Sequence, residues 1–221
     1  MSPVLFLIPV LVVTVALLIR AEIVGKQRQI YIFKPISTLL VIAVVLLSLL
    51  EPGQNLTYTV GVTIGLLLSL GGDIALMLPE NRKAFIIGLG LFLLAHIAYT
   101  VVFTLLGVFS AWDLLSAGIL LGVGMGFYLL IRPHLGTLQG PVIVYIVVIS
   151  VMVNRAGATL ESPVFGGTQA LMILIGALLF YISDVMLAAN RFWKPWEYSR
   201  ISLAFYYSGQ LLIALAASSF V

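Results

Sequence analysis

Apolar runs recur eight times along this chain, each nearly free of charge and about the length needed to cross a hydrocarbon core some 30 Å thick. No other feature narrows the possible folds so far. Helices span membranes because every backbone N–H and C=O can be satisfied within the segment. The alternative, a β-barrel, needs apolar and polar residues to alternate. These runs are continuously apolar instead. They predict helices near 3–19, 35–50, 57–79, 84–106, 112–131, 139–155, 166–189 and 199–220. Composition agrees, since only 9% of residues are charged and 62% are hydrophobic, whereas a soluble domain carries about 25% charge. The expected fold is all-α: a polytopic transmembrane bundle of eight helices forming a single integral membrane domain over 1–221.

The first run, SPVLFLIPVLVVTVALLI, has neither a basic n-region nor a small-residue cleavage site, so it reads as a retained helix. Pro3, Pro35 and Pro141 fall near expected helix starts, where a missing N–H costs little. Connections such as EPGQNL and PENRK leave no room for a soluble domain. The connections after helices 1, 3, 5 and 7 hold Arg20, Lys26, Arg28, Lys34, Arg82, Lys83, Arg132, Arg191, Lys194 and Arg200; those after 2, 4 and 6 hold only Arg155. By the positive-inside rule the odd connections are cytoplasmic and both termini extracytoplasmic. Basic residues distributed in this way orient helices, so the net charge of +3 does not point to nucleic acid. With no cysteine, disulfides, thiolate metal sites and thiol nucleophiles are excluded.

A shift of 111 residues aligns IGLLLSLGGDIALMLPENRK (64–83) with IGALLFYISDVMLAANRFWK (175–194), matching Asp73 to Asp184 and Lys83 to Lys194. Apolar matches are cheap in membrane helices; the paired Asp and Lys carry the argument. Helices 3 and 7 run in the same direction, which implies two parallel four-helix repeats, about 1–110 and 111–221.

Asp73 and Asp184 lie inside apolar runs, six and five residues from the expected ends of helices 3 and 7. At 1.5 Å per residue both sit roughly 8–9 Å below the cytoplasmic ends. An intramembrane carboxylate costs about 2.5–3.5 kcal/mol on insertion scales, so such a residue is a functional candidate by default; helix-packing carboxyls bonded to Ser or Tyr are the plainer alternative. Around them the 111-residue shift aligns Lys34 with Tyr145, His96 with Tyr207 and Tyr99 with Gln210. With Tyr206 these outline one polar lining on helices 2, 3, 4, 6, 7 and 8. Lys34 alone would read as a snorkelling anchor, and His96 as a hydrogen-bonding packer.

Other signals read as structural. GVGMG (122–126) lies in an apolar run with no strand before it and is no dinucleotide fingerprint. GILLG (118–122) and GVTIG (61–65) read as small-residue helix contacts. Asp113, Glu51, Glu161 and Glu197 read as interfacial or loop charges, and Trp112, Trp193 and Trp196 as an aromatic belt. His134 follows Arg132-Pro133 in a loop, and two distant histidines make no zinc case.

The segments KPIS (34–37), GDIALML (72–78), AFIIGLGLFLLAHIAY (84–99), SDVMLA (183–188) and YYSGQLL (206–212) together resemble the YhhN-type membrane proteins, from about Lys34 to Leu212. That family includes lysoplasmalogenases, which hydrolyse the vinyl ether of lysoplasmalogens to a fatty aldehyde and glycerophosphoethanolamine or glycerophosphocholine. The resemblance implies a hydrolase with catalytic Asp73 and Asp184. The family's other polar motif residues fall at Lys34, His96, Tyr99, Tyr207 and Gln210; with Tyr145 and Tyr206 of the lining described above they would form the substrate-binding set, without metal or cofactor. It implies a lysolipid substrate among membrane lipids, in a multi-pass protein of a bacterial cytoplasmic membrane. Vinyl-ether hydrolysis needs a proton donor for the β-carbon and a group that stabilises the cation and accepts a proton from water, roles that glycosidases divide between two carboxyls. Lys83, Arg82, Arg191 and Lys194 are placed to attract the phosphate or simply to set topology. A proton-coupled transporter carries intramembrane carboxylates too, and stays open as the alternative; a lipid-binding scaffold would leave the aspartates unexplained.

Overall fold

The structure, a computed structural model, describes residues 4–51, 53–78, 81–196 and 199–218. Pro3 and Glu197, singled out in the sequence, lie outside them. Among the described residues eight α-helices form an all-α bundle with no strand: α1 Val4–Val24, α2 Gln27–Leu47, α3 Leu56–Leu76, α4 Arg82–Leu106, α5 Ala111–Ile131, α6 Gln139–Gly157, α7 Gly167–Phe192 and α8 Ser202–Leu215. The first seven are long and apolar enough to cross a membrane; α8, of 14 residues, is a shorter apolar helix.

Helix ends depart from the expected ones where charge was used to mark them. Charge marks the edge of the apolar layer, not the point where backbone hydrogen bonding stops. α2 begins at Gln27, so Pro35 sits inside it and Lys34 is a helical residue with 7% exposure, not a mouth residue. Neighbouring helices hold this turn despite the N–H that Pro35 lacks. Gly25, with φ of 71°, ends α1, and Lys26 N–H donates back to the Ala21 carbonyl, a left-handed cap that favours glycine. α3 stops at Leu76 and α7 runs on to Phe192. Asp73 is therefore three residues from its helix end and Asp184 eight, about 4.5 and 12 Å. The nearly equal distances to the helix ends expected from sequence do not hold.

Packing follows one scheme twice. α3 lies on α4 as α7 lies on α8; α2 meets α3 as α6 meets α7; and α4 crosses to α6 as α8 crosses to α2. α1 and α5 are the least buried spans and turn much of their surface outward. On the α3–α4 seam, Gly61 and Gly65 face Val102 and Tyr99, so close that a Cβ at Gly65 would lie 2.3 Å from the Tyr99 ring. GVTIG is thus a packing contact. GILLG is not: Gly118 and Gly122 have no neighbour within 4 Å of a built Cβ, because this face of α5 points away from the bundle.

The odd connections meet at one end of the bundle. There Gln27 donates to the Met77 carbonyl (3.0 Å), Arg82 to Thr137 (2.9 Å), and Arg200 pairs with Glu22 (3.3 Å). At the other end Arg155, only 4% exposed, pairs with Asp113 at 3.1 Å and lies 4.0 Å over the Phe109 ring. Asp113 Oδ2 also accepts from Ser110 N–H, capping α5. The interfacial Asp113 is thus half of a partly buried ion pair; an arginine and an aspartate 42 positions apart give no local sign that they will meet.

Candidate functional site

The polar residues predicted to line one site occupy the bundle interior in three linked groups. The first surrounds Asp73. From α2, Lys34 places its Nζ 3.6 Å from Asp73 Oδ1, and Thr38 donates to Oδ2 at 2.7 Å. From α8, Tyr206 donates to the same oxygen at 2.8 Å. Tyr207 donates to the Lys34 carbonyl (3.0 Å) and lies 3.3 Å from the Thr38 hydroxyl. Asp73 is 2% exposed. Both its oxygens are occupied, and the cluster joins α2, α3 and α8.

The second group surrounds Asp184 on α7. Tyr145 of α6 donates to Asp184 Oδ2 at 2.7 Å. His96 of α4 puts Nε2 3.6 Å from that oxygen, and neither ring nitrogen has a hydrogen-bond partner among the described residues. His96 is completely buried, with its ring centroid 5.3 Å from Tyr145 and 4.6 Å from Phe180. A buried imidazole without partners is costly and calls for a reason.

The third group sits where the two halves meet. Tyr99 donates to Gln210 Oε1 at 2.7 Å, and Gln210 donates to Ser69 at 3.0 Å. Tyr99 and Gln210 are 111 residues apart, so the positions matched by the shift touch each other. The shift also relates the first two groups: Lys34 beside Asp73 corresponds to Tyr145 beside Asp184.

Aromatic rings separate the carboxylates. Phe180 stands 4.6 Å from His96 on one side and 5.2 Å from Tyr206 on the other, with Phe92 packed against Phe180 and Tyr206. The two groups also differ in access. An apolar cavity of about 70 Å³, open on one side, lies between α4, α6 and α7 with the end of α5. Phe85, Phe92, Phe127, Ile146 and Tyr181 line it, and Tyr145, Asp184 and Arg191 stand among its walls. Asp73 is not among its walls.

Sequence reasoning missed Thr38 and Ser69, whose hydroxyls are unremarkable in membrane helices, and Phe180, which looks like any apolar residue. Thr38 was findable one turn after Lys34. Among the described residues no three His, Asp or Glu side chains converge as a metal would need.

With this geometry in view, the profile of the YhhN family matches residues 29–217. The chain belongs to the YhhN family. It is 34% identical to bovine lysoplasmalogenase TMEM86A over 70% of its length, and the match spans 63% of that relative. It is 33% identical to the pig lysoplasmalogenase TMEM86B over 79% of its length and 70% of the relative's. The uncharacterized membrane protein YhhN of Escherichia coli O6:H1 is 31% identical over 86% of this chain and 87% of its own. The chain thus spans less than two thirds of the TMEM86A relative. No solved structure gives a significant match.

Proposed function

We propose that this YhhN-family chain is a membrane hydrolase that cleaves the vinyl ether of lysoplasmalogen-type lysolipids, with Asp184 as the carboxyl that meets the substrate. One observation carries the choice of Asp184: it stands in the wall of the apolar cavity, whereas Asp73 has both oxygens engaged by Lys34, Thr38 and Tyr206. The names of the TMEM86 relatives support the reaction class.

In the proposed reaction Asp184 enters as the acid and gives its proton to the β-carbon of the enol ether. The C=C electron pair forms the new C–H bond and leaves an oxocarbenium ion. Water adds to that carbon and returns a proton to the Asp184 carboxylate. The hemiacetal then passes its hydroxyl proton to the ether oxygen and separates into aldehyde and alcohol, so protons balance over the cycle. Tyr145 holds the carboxyl in one orientation by its hydrogen bond. His96, with Nε2 3.6 Å from the carboxyl and without a hydrogen-bond partner among the described residues, steers the water. One carboxyl can thus serve as acid and then base in turn.

Asp73 then acts at a distance, as the counter-charge of Lys34 that fixes α2, α3 and α8 around the site. The matched helix contacts support descent of both halves from one four-helix unit, about 1–110 and 111–221. In this reading one half keeps an open carboxylate and the other a closed one. The basic end of the bundle faces the cytoplasm, with both termini outside. That orientation is reinforced by the burial of Arg155 against Asp113, which removes the only basic exception from the even connections.

The test is purified full-length protein incubated with lysoplasmalogen, with fatty aldehyde measured by trapping and mass spectrometry. Aldehyde release that depends on Asp184 supports the proposal. The rival reading, a proton-coupled transporter, predicts uptake into vesicles with no aldehyde formed.

A further inference from the structure

Four basic residues near the cytoplasmic end were candidates for attracting an anionic headgroup, and the structure separates them. Arg82 is engaged with Thr137 at 2.9 Å. Lys83 and Lys194 do not line the cavity, whereas Arg191 does. Arg191 follows Asp184 by seven residues on α7. Two turns of helix bring such a pair back to one face, about 10 Å apart along the axis. The Arg191 guanidinium lies 5.1 Å from the centroid of Phe85, another residue of the cavity wall. The aromatic face holds the cation beside the cavity.

We infer that Arg191 is the specificity-determining anchor of this cavity, binding a phosphodiester fixed to the substrate a short distance from the bond placed at Asp184. This rests on the hydrolase reading and adds what the site selects for: the phosphate of a lysophospholipid, rather than any vinyl ether in the bilayer. Chain length fits. From the β-carbon that takes the proton to phosphorus is seven bonds, about 9 Å when extended, close to the roughly 10 Å of helix rise between Asp184 and Arg191. A planar fork of N–H donors also suits two phosphate oxygens better than a lysine ammonium would. The apolar remainder of the cavity, between Phe127, Ile146 and Tyr181, is left for the alkenyl chain.

The experiment compares two substrates on the detergent-solubilised full chain: 1-alkenyl-glycerophosphoethanolamine and the phosphate-free 1-alkenyl-glycerol. Wild type should prefer the phosphate-bearing lipid in kcat/KM. Arg191→Gln should raise KM for that lipid roughly ten- to hundredfold, the range for a hydrogen bond to a charged group, and bring the preference close to one. Arg191→Lys should keep part of the preference. Lys194→Gln, outside the cavity, should keep all of it. An unchanged preference in a folded Arg191→Gln variant overturns the anchor while leaving the hydrolase reading intact. If wild type cleaves neither lipid, the hydrolase reading fails, and equilibrium binding of the saturated 1-alkyl-glycerophosphoethanolamine still decides the anchor. Binding weakened tenfold or more by Arg191→Gln supports it, and equal binding refutes it.

Discussion

Replacing Asp73 by Asn separates a catalytic role from a structural one. The amide keeps the shape, and its oxygen can still accept from Thr38 and Tyr206, which lie 2.7 and 2.8 Å from the carboxylate. What disappears is the negative charge 3.6 Å from the Lys34 ammonium, in a pair exposed by only 8% and 2%. Breaking a buried pair by removing one partner costs about 3–5 kcal/mol, because the other charge is left uncompensated. In a chain of this size each kcal/mol moves the melting point by about 2–4 °C, so Asp73→Asn should melt roughly 6–20 °C lower. Adding Lys34→Met should recover most of the loss, since an apolar replacement of a buried pair is often neutral. The assay is thermal unfolding of the detergent-solubilised protein, with turnover measured well below both melting points. Asp73→Asn should then retain far more turnover than Asp184→Asn. A variant that melts like wild type yet loses turnover as completely as Asp184→Asn would show that Asp73 works in the reaction itself, and the structural role would be wrong.

The remaining expectations follow from single contacts. Asp184→Asn should lower kcat by about 10²–10⁴-fold with little change in melting point; near-normal aldehyde release by that variant would falsify the proposed chemistry. Tyr145→Phe removes one hydrogen bond to the carboxyl and should cost about tenfold in kcat, since such a bond contributes about 1 kcal/mol or somewhat more; steady-state kinetics reads it. Gly65→Ala drives a methyl into the Tyr99 ring and should destabilise by about 1–3 kcal/mol, whereas Gly118→Ala meets open space and should be neutral or stabilising by up to about 1 kcal/mol. Equal melting points for the two glycine variants would contradict the α3–α4 seam. A phosphatase active only outside the cytoplasm should be active when fused after Val221 and silent after Lys83 or Lys194; the reverse pattern would invert the topology.

Much of the site was legible because its members are rare in their setting. A carboxylate in an apolar helix stands out against the cost of putting it there, and the 111-residue shift drew attention to Lys34, Tyr145, Tyr99 and Gln210 before any contact was known. The structure places them in three groups: Lys34 beside Asp73, Tyr145 beside Asp184, and Tyr99 on Gln210. Thr38, Ser69 and Phe180 escaped notice, since hydroxyls in membrane helices satisfy themselves on the preceding turn and apolar residues are everywhere. The nearly equal distances expected between the two aspartates and their helix ends failed for a related reason. Distance was counted from apparent helix ends, and α3 stops at Leu76 while α7 continues past Asn190 and Arg191 to Phe192.

Sequence alone determined the class of fold, because the lack of hydrogen-bonding partners in hydrocarbon leaves a continuously apolar run one option, the helix. It also determined the orientation to be tested and the pairing of positions between halves, both of which are written along a single dimension. Tertiary structure decided which carboxylate is reachable. Asp73 and Asp184 are equivalent in local motif, and each meets a partner from the matching position of the preceding helix. They differ in what distant elements bring to them. α8 covers Asp73 with Tyr206 and Tyr207, while α4 brings His96 to Asp184 and leaves the adjoining space between α4, α6 and α7 open. Likewise nothing in the sequence pairs Arg155 with Asp113; the meeting of the start of α5 and the end of α6 does. Burial and access depend on which side chains arrive from elsewhere in the chain, and packing alone sets that.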